Sequence, residues 1–420
     1  MIKVYFNHVN MLGNKFFKGK TLAILSGGGD TPAINSSIES VRSRATVLGY
    51  KVYGIRNGWK GLLGDGDIID LTFQPFNAYY GGTALKSSRT NPFSSSNNNE
   101  DRVSQVMKNL KRYKIDVLVT IGGDDTNGAA KRLYEQEGIP VIGFPKTIDN
   151  DLRTRTWHNY KGQKIESVIC PGFPTAAKRI ADFASILKTT AESHSRIMVM
   201  EVMGRDAGWL TGAGILGGCS LSLVPEMEMT KEKKDFFLER VKEEYLSNPK
   251  KTLVIPVSEG VRWYNDKTGQ TEVVYASNEM DEYGHARLGG VSGIISSEIS
   301  SKLKIDARSQ ITGYYPRGGA CSEYDRRLTQ TLADKIIDLL LREDYGQMPV
   351  FNEICSYFDL EEFHCSSIDM GSIGNRSLPK EYFDENTFKF TDAYMDFITR
   401  IIGDSRYPEF HYDFPIVIPE

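Results

Sequence analysis

Residues 21–35, TLAILSGGGDTPAIN, decide the fold. TLAILS is a short, continuous apolar run closed by a turn, so it reads as a buried strand. GGGD is the turn. The following TPAINSSIESVRSRA, residues 31–45, reads as a helix with Asp30 or Thr31 as its cap and Pro32 in its first turn. Strand, glycine turn and helix in that order form the repeating unit of a parallel sheet flanked by helices.

The unit recurs. RVSQVMKNLKRYK places Val103, Val106, Met107 and Leu110 on one helical face, and IDVLVTI (115–121) then runs as a strand into GGDDT (122–126). IPVIGFP (139–145) is a strand that delivers the loop PKTIDND (145–151). RIMVMEV (196–202) leads into MGRDAGWL, and TLVIPVS (252–258) ends at Glu259. RWYNDKTGQTEVVY reads as a hairpin turning at DKTG. In RRLTQTLADKIIDLLLRED, Leu328, Leu332, Ile336 and Leu340 form a core-facing stripe behind Asp325 as cap. TNPFSSSNNNED (90–101) is polar and asparagine-rich, which predicts a mobile loop. The last 50 or so residues carry no legible chemistry.

Composition narrows the function classes. A chain of 420 residues with 40% hydrophobic and 25% charged residues is ordinary globular material with room for two domains. The net charge of -3 supplies no general basic field, so any anionic ligand must be held locally and nucleic acid is not an expected partner. Cys170, Cys219, Cys321, Cys355 and Cys365 show no CxxC spacing and no histidine cluster joins them, which argues for buried thiols over a zinc site. No apolar run approaches the roughly 20 residues of a membrane span, and MIKVYFNHVN lacks a signal-peptide core, so the expectation is a cytoplasmic protein.

Several glycine turns opening helices suit anions, because free N–H groups and the helix dipole hold phosphate. GNKFFKGKT (13–21) mimics a Walker loop but precedes its strand and has the wrong spacing. At GGDDT, Asp124 is a candidate ligand for a hard divalent cation, with helix capping as the alternative. In PKTIDND, the sequence leaves open whether Asp149 and Asp151 face the same way. If they do, repulsion raises one pKa and suits a general base for a sugar hydroxyl. Thr147 is placed to orient the acceptor. Lys146 offers a point charge for a polyphosphate, or is a solvated turn residue.

Together GGGDTPAIN, GGDDT, PKTIDND, MGRDAGWL and YYPRGG make the chain resemble the 6-phosphofructokinase family over roughly residues 20–345. The resemblance implies an α/β protein of two doubly wound domains, with mostly parallel sheets and the active site in the cleft between them. Residues 1–160 plus about 316–370 would form the donor-binding domain, about 161–315 the sugar-phosphate-binding domain, and 371–420 an extension for packing or interface. It implies transfer of a phosphoryl group to the C1 hydroxyl of fructose 6-phosphate, with Mg2+. Asp149 matches the catalytic base, Thr147 and Asp151 its neighbours, Asp124 the magnesium-site aspartate, and Gly29 and Arg89 the donor site. Met203, Gly204, Arg205, Glu259, Tyr314 and Arg317 match acceptor-binding positions. Arg196 and Arg308 match arginines supplied across a subunit interface, which implies a homodimer or homotetramer with shared active sites. Lys86 stands where a small residue is usual, and Tyr314 where bacterial ATP-using members carry histidine.

GGDDT resembles the pyrophosphate-using branch, since ATP-using members commonly carry glycine at the position of Asp125. A carboxylate there would repel the α-phosphate of a nucleotide, by on the order of 4 kcal/mol for unit charges about 4 Å apart. Asp125 and Lys146 are therefore the expected donor-specificity residues, and pyrophosphate the expected donor. ATP as donor, a non-catalytic regulatory subunit and a nicotinamide oxidoreductase are the alternatives. Sedoheptulose 7-phosphate is a further candidate acceptor.

Overall fold

The computed structural model describes residues 19–94, 101–356 and 363–404. The opening stretch forms strand β1, Thr21–Ser26, buried along its whole length. Leu22 and Ile24 enter one body of core, Ala23 and Leu25 the other. A strand covered on both faces has no polar side, which is why it reads as a continuous apolar run. Helix α1, Ile34–Val47, follows, then β2, Lys51–Ile55, and β3, Ile68–Asp70. Next come α2, Arg102–Arg112, β4, Val117–Gly122, α3, Asp124–Glu137, and β5, Val141–Pro145.

A second unit begins after the hairpin of β6, Thr156–Tyr160, and β7, Gln163–Ser167. It contains α4, Phe173–Ser193, β8, Ile197–Val202, α5, Trp209–Gly212, α6, Lys231–Ser247, and β9, Leu253–Ser258. Two hairpins follow: β10, Arg262–Asn265, with β11, Gln270–Val273, at the expected DKTG turn, and β12, Tyr275–Met280, with β13, Ala286–Leu288. Helix α7, Val291–Glu298, and β14, Ala307–Ile311, close the unit. The chain returns through α8, Glu323–Arg342, to β15, Gln347–Phe351, and β16, Cys365–Asp369, before α9, Asp392–Ile402.

The large sheet has the order β16-β15-β5-β4-β1-β2-β3 and the small one β14-β8-β9. All pairings are parallel except the two edge strands β3 and β16. The α/β architecture with mostly parallel sheets is thus as expected. Leu328, Leu332, Ile336 and Leu340 of α8 are fully buried in the core shared with α1, as their spacing requires. Two of the five cysteines, Cys170 and Cys219, are buried, and the other three are half-buried because they lie at the ends of elements. Of the loop expected at 90–101, residues 95–100 lie outside the described residues, as does most of the Walker-like stretch. No helix among the described residues is long and apolar enough to cross a membrane.

Two cap assignments need correction. Helix α1 starts at Ile34 behind Ala33, with no side-chain cap. The turn is a longer excursion than a tight reversal. Asp30 gives its carbonyl to Arg317 Nη1 at 3.0 Å, and the Thr31 hydroxyl is buried without a partner. Helix α8 is capped by Ser322, whose side chain accepts from the Asp325 N–H. Asp325 instead lies fully buried, accepting from the N–H groups of Gly172 at 2.7 Å and Thr175 at 2.9 Å and from the Thr175 hydroxyl. It ties the start of α4 to the start of α8. Asp325→Ala leaves two buried donors unpaired and should cost about 3 kcal/mol in urea unfolding, against about 1 kcal/mol for Ser322→Ala. Equal costs for the two variants would show that Asp325 is not the tie.

Candidate active site

Strand order in the large sheet reverses at β1, which has β2 on one side and β4 on the other. The loops leaving the carboxyl ends of adjacent strands diverge there and open a crevice. Helices α1 and α3 both begin at this point without side-chain caps, so their first N–H groups are not consumed by their own side chains. A Cβ on Gly29 would lie 2.6 Å from Arg317 Nη1, so a larger residue would displace the guanidinium from its place against the loop.

Lys146 is 3% exposed, so it is not a solvated turn residue. Its ammonium donates to the Gly29 carbonyl at 2.6 Å. Burial pushes its pKa down to about 8, aided by the positive charges of Arg317 and Arg89 and opposed by Asp30. A buried cation crowded by two guanidiniums is a site prepared for an anion. Arg89 lines the same cleft and is held by Asp281 Oδ2 at 2.5 Å. Lys86, the departure noted in the sequence, sits in the left-handed region at φ +58°, and its carbonyl accepts from Ser26 Oγ at 3.1 Å.

Asp124 and Asp125 occupy the first turn of α3, and neither caps it. Asp124 is exposed on the cleft and makes no ion pair among the described residues. Asp125 is half-buried, with Oδ2 3.2 Å from His285 Nε2. Burial and the neighbouring Asp124 raise its pKa, while His285 opposes the rise.

The PKTIDND loop answers the question of orientation. Asn150 adopts φ +55° and is buried, its amide donating to the Val168 carbonyl at 2.8 Å and accepting from the Cys170 N–H at 3.0 Å. With Asn150 pinned inward, Asp149 and Asp151 both line the cleft. Thr147 lies between them, its hydroxyl accepting from the Asp149 N–H at 3.0 Å and donating to Asp151 Oδ1 at 3.2 Å. Burial raises both carboxyl pKa values. Arg317, Arg205 and Lys146 restrain Asp149, whereas Asp151 also feels Asp149 and is pushed up to about 7. Asp149 Oδ1 is buried with no hydrogen-bond partner, as is the nearby Thr31 hydroxyl. Buried polar atoms are rarely left unpaired without a reason, and a missing substrate hydroxyl is one.

The small sheet supplies the facing wall. Met203, Gly204 and Arg205 leave β8, and Glu259 leaves β9. The two loops are zipped together by Glu259 N–H to the Val202 carbonyl at 2.8 Å, and a Cβ on Gly260 would fall 1.8 Å from the Arg205 carbonyl. Arg205 Nη2 donates to the Ala286 carbonyl at 2.8 Å, and the side chain lines the cleft. Burial and the charge of Asp149 push Glu259 up to about 7. Arg317 bridges the walls through Met203 Sδ at 3.0 Å and the Asp30 carbonyl.

Of the expected acceptor residues, Arg205 and Arg317 line this cleft, Met203, Gly204 and Glu259 lie on the adjoining loops of the small sheet without lining it, and three lie elsewhere. Tyr314 is 67% exposed. Arg196 and Arg308 flank Asp306 at 3.3 and 3.0 Å, at the amino ends of β8 and β14. The cleft lies at the carboxyl end of β8, roughly 20 Å away for a six-residue strand. Conversely, Tyr283, His285 and Asn375 line the cleft without having been foreseen. Tyr283 and His285 belong to the turn between β12 and β13, which no linear motif ties to a loop 160 residues earlier. Asn375 lies in the C-terminal extension, for which only packing or interface was expected. The extension also braces the PKTIDND loop, because the Arg376 N–H donates to the Asp151 carbonyl at 2.6 Å.

Among the described residues no three His, Cys, Asp or Glu side chains converge as a metal centre. The free carboxylate of Asp124 fits the kind of ion that takes one or two carboxylates and completes its shell with water and phosphate oxygens.

The family model described as Phosphofructokinase matches residues 21–340. The chain is 36% identical over 324 residues to the pyrophosphate--fructose 6-phosphate 1-phosphotransferase of Dictyoglomus thermophilum, covering 76% of this chain and 86% of that one. It is 35% identical over 368 residues to an ATP-dependent 6-phosphofructokinase 2 of Clostridium perfringens, covering 83% and 94%. The fold is similar to the crystal structure of a pyrophosphate-dependent phosphofructokinase from Nitrosospira multiformis, with a TM-score of 0.73 at 22% identity over 96% of this chain and 98% of that one.

Proposed function

The chain belongs to the phosphofructokinase family of phosphotransferases, and on that premise we propose that it moves a phosphoryl group reversibly from inorganic pyrophosphate to the C1 hydroxyl of fructose 6-phosphate, giving fructose 1,6-bisphosphate and phosphate. The donor lies between the uncapped starts of α1 and α3, held by Lys146, Arg317, Arg89 and the backbone at Gly29. The acceptor lies against the small sheet, with Arg205 holding its phosphate and Glu259 a ring hydroxyl. Asp149 receives the C1 proton at Oδ1 as the hydroxyl oxygen attacks. Thr147 and Asp151 fix the loop that presents it. This division of labour needs no covalent intermediate, only positioning and neutralisation of charge.

Asp124 is the residue that would hold Mg2+, which when bound shares the negative charge of the donor oxygens. Arg196 and Arg308 lie too far from their own cleft to serve it, and in this reading they reach the sugar phosphate of a neighbouring copy. The assembly is then a homodimer or homotetramer of a cytoplasmic enzyme.

Relatives named for pyrophosphate at 33–37% identity support that donor, and relatives named for ATP at 33–35% identity make ATP the alternative to test. The observation that carries the donor is the half-buried Asp125 carboxylate lining the same cleft as Lys146. The test is an initial-rate assay with fructose 6-phosphate and Mg2+, run in parallel with pyrophosphate and ATP. The expected kcat/KM favours pyrophosphate by on the order of a hundredfold or more. Equal or better use of ATP reverses the assignment.

A further inference from the structure

The turn between β12 and β13 crosses from the small sheet to the donor loops of the large one, and its own geometry is rigid. Asp281 Oδ1 accepts from the N–H groups of Tyr283 and His285, both at 3.0 Å, and the Asp281 N–H donates to the His285 carbonyl at 3.1 Å. Five contacts then clamp the turn to the donor side. Asp281 Oδ2 holds Arg89, Glu282 holds Arg102 at 2.6 Å and the Asn91 N–H at 2.9 Å, and the Tyr283 hydroxyl donates to the Thr90 carbonyl at 3.1 Å. The fifth is the approach of His285 Nε2 to Asp125 at 3.2 Å.

Asp125 alone poses a difficulty. Its carboxylate repels a nucleotide, but it also repels pyrophosphate, which carries more charge per atom. A fixed donor on Asp125 removes that difficulty. It offsets part of the carboxylate's charge and, with it, stands in the path along which a longer donor would leave the pocket. His285 is the residue so placed.

We propose that His285, delivered across the cleft by the β12–β13 turn, is a positioning and donor-specificity residue that holds Asp125 and forms with it the end wall of the donor pocket. The inference rests on the pyrophosphate reading and extends it to a residue on the opposite unit. The arm explains why Arg89 and His285 arrive together, since both hang on Asp281.

The test uses the full-length protein. His285→Ala should raise the KM for pyrophosphate roughly tenfold, the cost of a lost charge-assisted hydrogen bond. ATP should also become a roughly tenfold better competitor of pyrophosphate. The KM for fructose 6-phosphate and the Tm should stay near wild type. His285→Gln, whose amide nitrogen falls where Nε2 lies, should restore both donor readouts to within about threefold of wild type. Wild-type donor KM and ATP exclusion in a folded His285→Ala protein overturn the proposal. So does a parallel rise of both substrate KM values with a lower Tm in the Ala and Gln variants, which marks a structural role only. Failure of the pyrophosphate reading is separately visible, as wild-type protein that turns over ATP and ignores pyrophosphate.

Discussion

Asp149→Ser should lower kcat by on the order of a thousandfold while leaving the KM for fructose 6-phosphate within a few-fold of wild type. The buried, unpartnered Oδ1 is the reason to expect so large an effect from a single carboxylate. Serine keeps a small polar group in the loop, and the pinning of Asn150 does not depend on residue 149, so the cleft keeps its shape. What is lost is the acceptor of the hydroxyl proton. The same geometry fixes the pH dependence. A base works deprotonated, and burial raises Asp149 above the usual carboxylate range, so the rate should climb with pH across an acid limb displaced towards neutrality. Asp206, which lines the same cleft, adds its negative charge to that displacement. Asp206→Asn should therefore move the limb to lower pH, read as kcat/KM against pH. A serine variant with near-wild-type turnover would remove Asp149 from the chemistry.

How much of this was legible in the sequence follows from range. Each strand buried on both faces announces itself as an apolar run, and each anion-binding loop begins where such a run ends in glycine. The central strands β1, β4 and β5 of the large sheet and the loops carrying Gly29, Asp124, Lys146 and Asp149 could thus be read directly, whereas β2, β3, β15 and β16, and the burial of Lys146, could not. Asp30 and Thr31 do not cap α1 because the helix starts only at Ile34, and Asp325 does not cap α8 because its carboxylate is committed to the start of α4. The direction of Asp149 and Asp151 hung on the left-handed Asn150 and its buried amide contacts, which alternation cannot supply. His285, Tyr283 and Asn375 escaped notice because a hairpin turn and a C-terminal loop show no local chemistry until the fold sets them against the cleft.

The second large effect concerns the donor. Asp125→Gly removes the carboxylate that faces the pocket and leaves His285 without its partner, so discrimination against ATP should weaken. At an effective dielectric near 20, a unit charge about 4 Å from the α-phosphate costs on the order of 4 kcal/mol, or about a thousandfold in relative binding. Charge is half of the barrier, and volume is the other half. Lys146 fills the base of the pocket, its ammonium tied to the Gly29 carbonyl and its stem buried. Asp125→Gly with Lys146→Gly clears both the repulsion and the stem, while Arg89, Arg317 and the uncapped helix starts remain to hold phosphate. The double variant should bind ATP measurably by calorimetry or by competition with pyrophosphate. Its kcat/KM with pyrophosphate should fall by on the order of a hundredfold, since the donor loses a buried cation. If the double variant gains no ATP binding and keeps its pyrophosphate activity, residues 125 and 146 do not set the donor, and the discrimination must reside in the wall that the β12–β13 turn lays across the cleft.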